Sequence, residues 1–195
     1  YNVAQGYRSL FSNTTAGNNT AQGVFSLYSN TTGANNSAAG YQTLYFNTIG
    51  SYNSGFGSQA LYANTTGFFN TAQGNNALYN NVSATSTTAI GYNAGYGASG
   101  YYNQGGTYLG YQAGRFLDVG SDYNTLVGYN SGNGVTTGAR NVLLGQSTIA
   151  ASYNQVTTGS NNIAIGNDVA VPSATASNQL VIGNLIYGTG LSGTG

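Results

Sequence analysis

Cysteine, histidine, lysine and glutamate are all missing from the 195 residues of this chain. The lack of Cys removes disulfides, thiol catalysis and zinc-thiolate sites. The lack of His and Lys removes Ser-His-Asp triads, metal-histidine clusters and Schiff-base chemistry. Charge is scarce too: Arg8, Arg115 and Arg140 stand against Asp118, Asp122 and Asp168, together 3% of the chain. No basic surface is available to hold phosphates, so nucleic acid is not an expected partner. No apolar run approaches the roughly 18 residues of a membrane-spanning helix, and no basic amphipathic stretch suggests lying on a bilayer. Membrane insertion by this segment is therefore not expected, and neither is a bound cofactor or metal.

Low charge with abundant Gly, Asn, Ser and Thr can signal disorder, but 13% aromatic and 40% hydrophobic residues in strict register argue for a folded chain. The register is a 17-residue repeat. Residues 19–35 read NTAQGVFSLYSNTTGAN; NVAQGYRSLFSNTTAGN precedes them, and NSAAGYQTLYFNTIGSY, NSGFGSQALYANTTGFF and NTAQGNNALYNNVSATS follow. Asn recurs at Asn2, Asn19, Asn36, Asn53 and Asn70, and Gly at Gly6, Gly23, Gly40, Gly57 and Gly74. Leu recurs at Leu10, Leu27, Leu44, Leu61 and Leu78. Looser copies carry the glycine anchor on to Gly91, Gly110, Gly128, Gly145, Gly166 and Gly183, the last five spacings being 19, 18, 17, 21 and 17. Eleven related units thus fill the chain: regular over 1–86, with small loop insertions over 87–187, and then a Gly/Thr/Ser-rich tail at 188–195. The chain begins inside a repeat and reads as a fragment.

Helical repeats need about 30 or more residues and better helix formers than Asn, Gly, Thr, Ser and Tyr. The units fit the coils of an all-β parallel solenoid. Short strands, Ser37 to Gly40 and Asn141 to Leu144 among them, alternate faces, and Asn-Thr-Thr-Gly turns the chain between strands. Stacked about 4.8 Å apart, eleven coils make a rod roughly 50 Å long. Equivalent residues then lie above one another, so Asn19, Asn36, Asn53 and Asn70 can pass side-chain amide hydrogen bonds from coil to coil, each contributing about 0.5–1.5 kcal/mol. The anchor glycines imply a positive φ or the close approach of another strand.

The inward set of the first section is small: Ala4, Ala21, Ala38 and Ala72, with the Leu four residues after each anchor. In the second section both strand faces are apolar: Val142 and Leu144 oppose Leu143, and Ile163 and Ile165 oppose Ala164. Burying Val142, Leu144, Ile163, Ile165, Leu180 and Ile182 at about 1.5–3 kcal/mol each gives an upper bound of roughly 9–18 kcal/mol per chain. That exceeds the stability of a typical domain, so rods running side by side are expected, with three-fold closure as a natural arrangement.

The strand motifs NxAxG, TAIG and NIAIGND resemble the head repeats of trimeric autotransporter adhesins, the YadA-like heads. The ALYxNTTG variant and the terminal SNQLVIGNLIYGTG, Ser177 to Gly190, are similar to stalk repeats of bacteriophage tail fibres, of the kind that precede an endosialidase-type chaperone domain. The resemblance implies a left-handed parallel β-roll wound as a homotrimer, extracellular, on a bacterial surface or a virion tail fibre. It also implies a structural or adhesive role toward a cell-surface glycan or receptor; with His, Cys, Lys and Glu missing, no enzymatic activity is expected. Gln5, Gln22 and Gln73 depart from the pattern, standing where the adhesin repeats usually carry Ile before Gly.

A few side chains remain as candidates for chemistry. Asp118 and Asp122 in FLDVGSDYN are the one nearby carboxylate pair and would have to serve any polysaccharide-cleaving activity; the plainer reading is that they shape a loop or pair with Arg115. Phe11, Tyr28, Tyr45, Tyr62 and Tyr79 recur at the repeat spacing and form a column, with the four tyrosines as glycan-contact candidates. The plainer reading there is stacking on one another. Asn13, Asn30 and Asn64 begin Asn-Thr-Thr sequons, although turns require the same letters. Threonine-rich solenoids also bind ice, but that needs flat Thr-x-Thr strands, whereas these Thr pairs fall in turns.

Overall fold

The structure, a computed structural model, describes residues 1–98, 100, 102–147 and 156–183. The tail at 188–195 and the end of the Ser177 to Gly190 motif lie outside the described residues. Eleven three-residue strands follow one another: β1 Val3–Gln5, β2 Thr20–Gln22, β3 Ser37–Ala39, β4 Ser54–Phe56, β5 Thr71–Gln73, β6 Thr88–Ile90, β7 Thr107–Leu109, β8 Thr125–Val127, β9 Val142–Leu144, β10 Ile163–Ile165 and β11 Leu180–Ile182. They form one parallel sheet in chain order, each strand in register with the next, so that Ala21 pairs with Ala38 and Leu126 with Leu143. The chain is an all-β solenoid, with no helix among the described residues. The strands are a residue shorter than the sequence suggests, because the flanking Asn and Gly leave the sheet.

Glycine ends each strand for two reasons that act together. Gly40 has φ 137°, and a β-carbon there would lie 2.6 Å from the Gly57 carbonyl oxygen of the next coil. After the glycine, coil three turns through left-handed backbone at Gln42, Leu44 and Tyr52, with φ of 53°, 54° and 59°. Each such L-residue costs about 1–2 kcal/mol. Coil-to-coil hydrogen bonds that continue through the turns offset this cost. The Leu27 N–H donates to the Thr43 carbonyl at 3.0 Å and Thr31 to Thr48 at 2.9 Å, while Phe25 donates backward to Tyr7 at 2.9 Å.

The core changes character along the rod. In coils two to five Ala21, Ala38 and Ala72 project inward from the strand centres beside Leu27, Leu44, Leu61 and Leu78, all fully or almost fully buried. Ala4, in the terminal coil, is exposed. The four leucines hold left-handed backbone at φ 49–54°. At the equivalent place in the next three coils stand Gly95, Gly114 and Gly132, with φ of 59°, 62° and 60°. The strand centres then grow to Tyr108, Leu126 and Leu143. A β-carbon on Gly95 would lie 2.6 Å from the Tyr108 ring, and one on Gly132 2.6 Å from Leu126. Core volume therefore moves from the turn to the strand, and a strained leucine gives way to a residue for which that backbone is free of strain.

Candidate functional site

Two columns of buried asparagine run along the rod. In the first, which the repeat picks out directly, each side chain bonds to backbone more than to its counterpart. Asn36 Oδ1 accepts the Asn53 N–H at 2.9 Å, and Asn36 Nδ2 donates to the Gly50 carbonyl at 2.8 Å. The expected amide-to-amide relay occurs there at Asn70, which donates to Asn53 at 3.0 Å. The relay is carried chiefly by the second column, the residues that read as turn or sequon asparagines: Asn30 donates to Asn13 at 3.1 Å, Asn47 to Asn30 at 2.8 Å and Asn64 to Asn47 at 2.8 Å. The columns meet on glycine carbonyls, since Asn36 and Asn47 both donate to Gly50, at 2.8 and 2.9 Å. Asn30 and Asn64 are wholly buried, so the folded chain does not present them for glycosylation.

The relay breaks after Asn64, whose buried Oδ1 accepts no hydrogen bond, and the last asparagine of the second column, Asn81, leads to a tyrosine instead. Asn81 Nδ2 donates to Asn103 Oδ1 at 2.6 Å, and Asn103 Nδ2 in turn donates to the hydroxyl of Tyr108. Thr87 and then Gly106 stand where the first-column asparagine is missing, and the Tyr108 hydroxyl fills the space a side chain at Gly106 would need. Burial pushes the Tyr108 phenol far above the ordinary tyrosine range, with the Asn103 hydrogen bond opposing the shift. Beyond this point Leu117 and Val135 are buried core residues and one asparagine column continues: Asn141 N–H donates to Asn124 and Asn162 N–H to Asn141, both at 2.9 Å.

The aromatic column is a stack. Phe11, Tyr28, Tyr45, Tyr62, Tyr79 and Tyr96 follow one another with centroids 5.3, 5.1, 5.5, 4.8 and 5.2 Å apart and planes within 20° of parallel. A second stack, Tyr92, Tyr111 and Tyr129, has centroid spacings of 5.3 and 5.1 Å. At such spacings each ring face is covered by its neighbour, leaving no room for a sugar ring between them. Partial burial and neighbouring phenols, first Tyr45 and first Tyr62 respectively, raise the Tyr62 and Tyr79 hydroxyls above their ordinary range.

The outer face of the sheet is graded. After an exposed Val3 in the terminal coil, its first column runs Thr20, Ser37, Ser54, Thr71, Thr88, Thr107 and Thr125, then Val142, Ile163 and Leu180. The neighbouring column changes from Gln22, Ala39, Phe56 and Gln73 to Ile90, Leu109, Val127, Leu144, Ile165 and Ile182. Ile163 and Leu180 are exposed, while Val142, Leu144, Ile165 and Ile182 are already half-buried within one rod. Turn threonines use their hydroxyls internally, Thr31 donating to the Thr48 carbonyl and Thr48 to that of Thr65, both at 3.0 Å.

Both loop carboxylates bind backbone. Asp118 Oδ1 accepts the Val119 N–H at 2.7 Å, and Asp122 Oδ1 accepts the Gln104 N–H at 2.9 Å, tying one coil to the one before. Arg115 lies over the Phe116 ring at 4.9 Å. Among the described residues no group of three His, Cys, Asp or Glu side chains is placed to hold a metal, and no helix is long and apolar enough to cross a membrane. The chain matches no family model, no curated protein and no solved structure.

Proposed function

We propose that the chain is a segment of an extracellular structural and adhesive fibre, a left-handed solenoid in which three copies run side by side and hold an attachment site away from a bacterial surface or virion. The observation that carries this reading is the graded outer face, which ends in exposed Ile163 and Leu180. Covering those two contributes about 3–6 kcal/mol per chain, with less from the four half-buried neighbours, so the six-residue upper bound shrinks but stays favourable. The polar Gln5, Gln22 and Gln73 leave the first section looser, and three copies along one axis multiply any weak attachment. Glycan contact at Tyr28, Tyr45, Tyr62 and Tyr79 takes place through ring edges and hydroxyls, since the faces are stacked. Hydrogen-bonded Asp118 and Asp122 favour a loop-shaping role over glycan cleavage. A single hydroxyl column with Gln and Phe56 beside it favours adhesion over ice binding. Sedimentation tests the assembly: a mass near three times 19.9 kDa is expected, falling to one chain in Ile163→Asp/Leu180→Asp. A native chain that sediments as a monomer refutes it.

A further inference from the structure

Covalent coil-to-coil stapling needs a side chain that can be joined to its own image in the next coil. Cysteine is missing, and so are Met, Trp and His, which with cysteine absorb most oxidative damage to proteins. Tyrosine, at 18 copies, is the readily oxidised side chain that remains. The fold places it in rows. Six Tyr–Tyr ring contacts occur among the described residues: Tyr28–Tyr45, Tyr45–Tyr62, Tyr62–Tyr79, Tyr79–Tyr96, Tyr92–Tyr111 and Tyr111–Tyr129, with centroids 4.8 to 5.5 Å apart. The first stack is half-buried, and Tyr92, Tyr111 and Tyr129 are exposed, so the phenols are open to a diffusible oxidant.

We propose that these stacks are sites of oxidative tyrosine coupling, in which a peroxide-driven one-electron oxidant joins neighbouring coils through dityrosine and so fixes the rod covalently. Each phenol gives up one electron and its hydroxyl proton, leaving a phenoxyl radical. Two radicals form a carbon–carbon bond between the positions ortho to their oxygens, and the two displaced ring hydrogens move to oxygen as the phenols re-form. Two tyrosines thus yield one cross-link, two protons and two electrons, which reduce one hydrogen peroxide to two waters. Stacking supplies proximity, since adjacent rings meet without diffusion, and coupling within the stack outruns coupling between solvated phenols. This goes beyond the adhesive reading and does not depend on the number of chains in the fibre.

The test treats the full chain with a peroxidase and hydrogen peroxide, reads dityrosine fluorescence and maps cross-linked peptides by mass. Tyr45→Phe/Tyr79→Phe/Tyr111→Phe removes all six Tyr–Tyr contacts but keeps every ring and 15 of the 18 tyrosines. Fluorescence is expected to fall at least about five-fold in this variant, because none of the six stacked contacts then joins two tyrosines. Native cross-links are expected at the six named pairs, and native chains should gain resistance to thermal unfolding after treatment. The single change Tyr111→Phe should abolish only the Tyr92–Tyr111 and Tyr111–Tyr129 products, which keeps the test valid if the triple variant folds poorly. Equal yields in native and triple-variant chains, or products mapping outside the stacks, overturn the proposal.

Discussion

Gly95 and Tyr108 belong to neighbouring coils and share one volume of core. The pair tests whether the two sections differ by a trade of space between turn and strand. Gly95→Leu extends the first-section pattern by one coil, and its backbone at φ 59° is close to the 53° that Leu78 holds. Alone, it drives a side chain into the Tyr108 ring 2.6 Å from the new β-carbon, costing at least about 3 kcal/mol, overpacking and left-handed strain together. Tyr108→Ala alone empties a fully buried aromatic site and leaves the Asn103 amide without its hydroxyl acceptor, at about 4–6 kcal/mol. When the two changes are combined, the introduced leucine occupies part of the vacated space and no longer meets the ring. The double variant should therefore be more stable than the sum of the singles by about 2–3 kcal/mol, as read by urea unfolding of all four proteins. Additivity within about 0.5 kcal/mol would show that the two residues do not share a site, and the exchange explanation would be wrong.

Gly40→Val should cost more than about 3 kcal/mol or prevent folding, while Gly120→Ala, where nothing lies within 4 Å of the new β-carbon, should cost only about 1 kcal/mol of backbone strain; thermal melts compare the two. Asn36→Ala strips a donor from the Gly50 carbonyl and an acceptor from the Asn53 N–H, so a loss of about 2–4 kcal/mol is expected in urea unfolding. Ser86→Gly should stabilise slightly, by up to about 1 kcal/mol, because the exposed serine sits at φ 57°. Alkali should weaken the fold. The phenols of Tyr62, Tyr79 and Tyr108 are raised above 10.0 in the folded chain, so stability is complete below pH 10 and declines as the pH rises past it. Melting temperature against pH should show this decline, and Tyr108→Phe, though less stable at neutral pH, should show a shallower one.

The solenoid was legible because a stack of coils demands the same residue at the same place, and the period of 17 therefore exposes strands, anchors and columns together. The strand faces followed from alternation, as Leu143 inward between Val142 and Leu144 illustrates. The stacking of Phe11 through Tyr79 followed from the same spacing, and Tyr96 joins it because the geometry persists one coil further. The partners of the asparagines were not legible. Recurrence says that Asn36 and Asn47 each lie above a copy of themselves, but only turn geometry decides which of them faces backbone and which faces amide. The core exchange was hidden for a related reason. Gly95 and Tyr108 are both departures from the repeat, and nothing in a linear pattern says that one departure makes room for the other.

A density map of the assembled fibre at side-chain resolution tests the central claim most directly. It should show three parallel columns, with coils rising about 4.8 Å each and the outer faces of β9 to β11 turned toward the shared axis. A lone column with Ile163 and Leu180 in water, or columns joined through the tyrosine stacks, would contradict it.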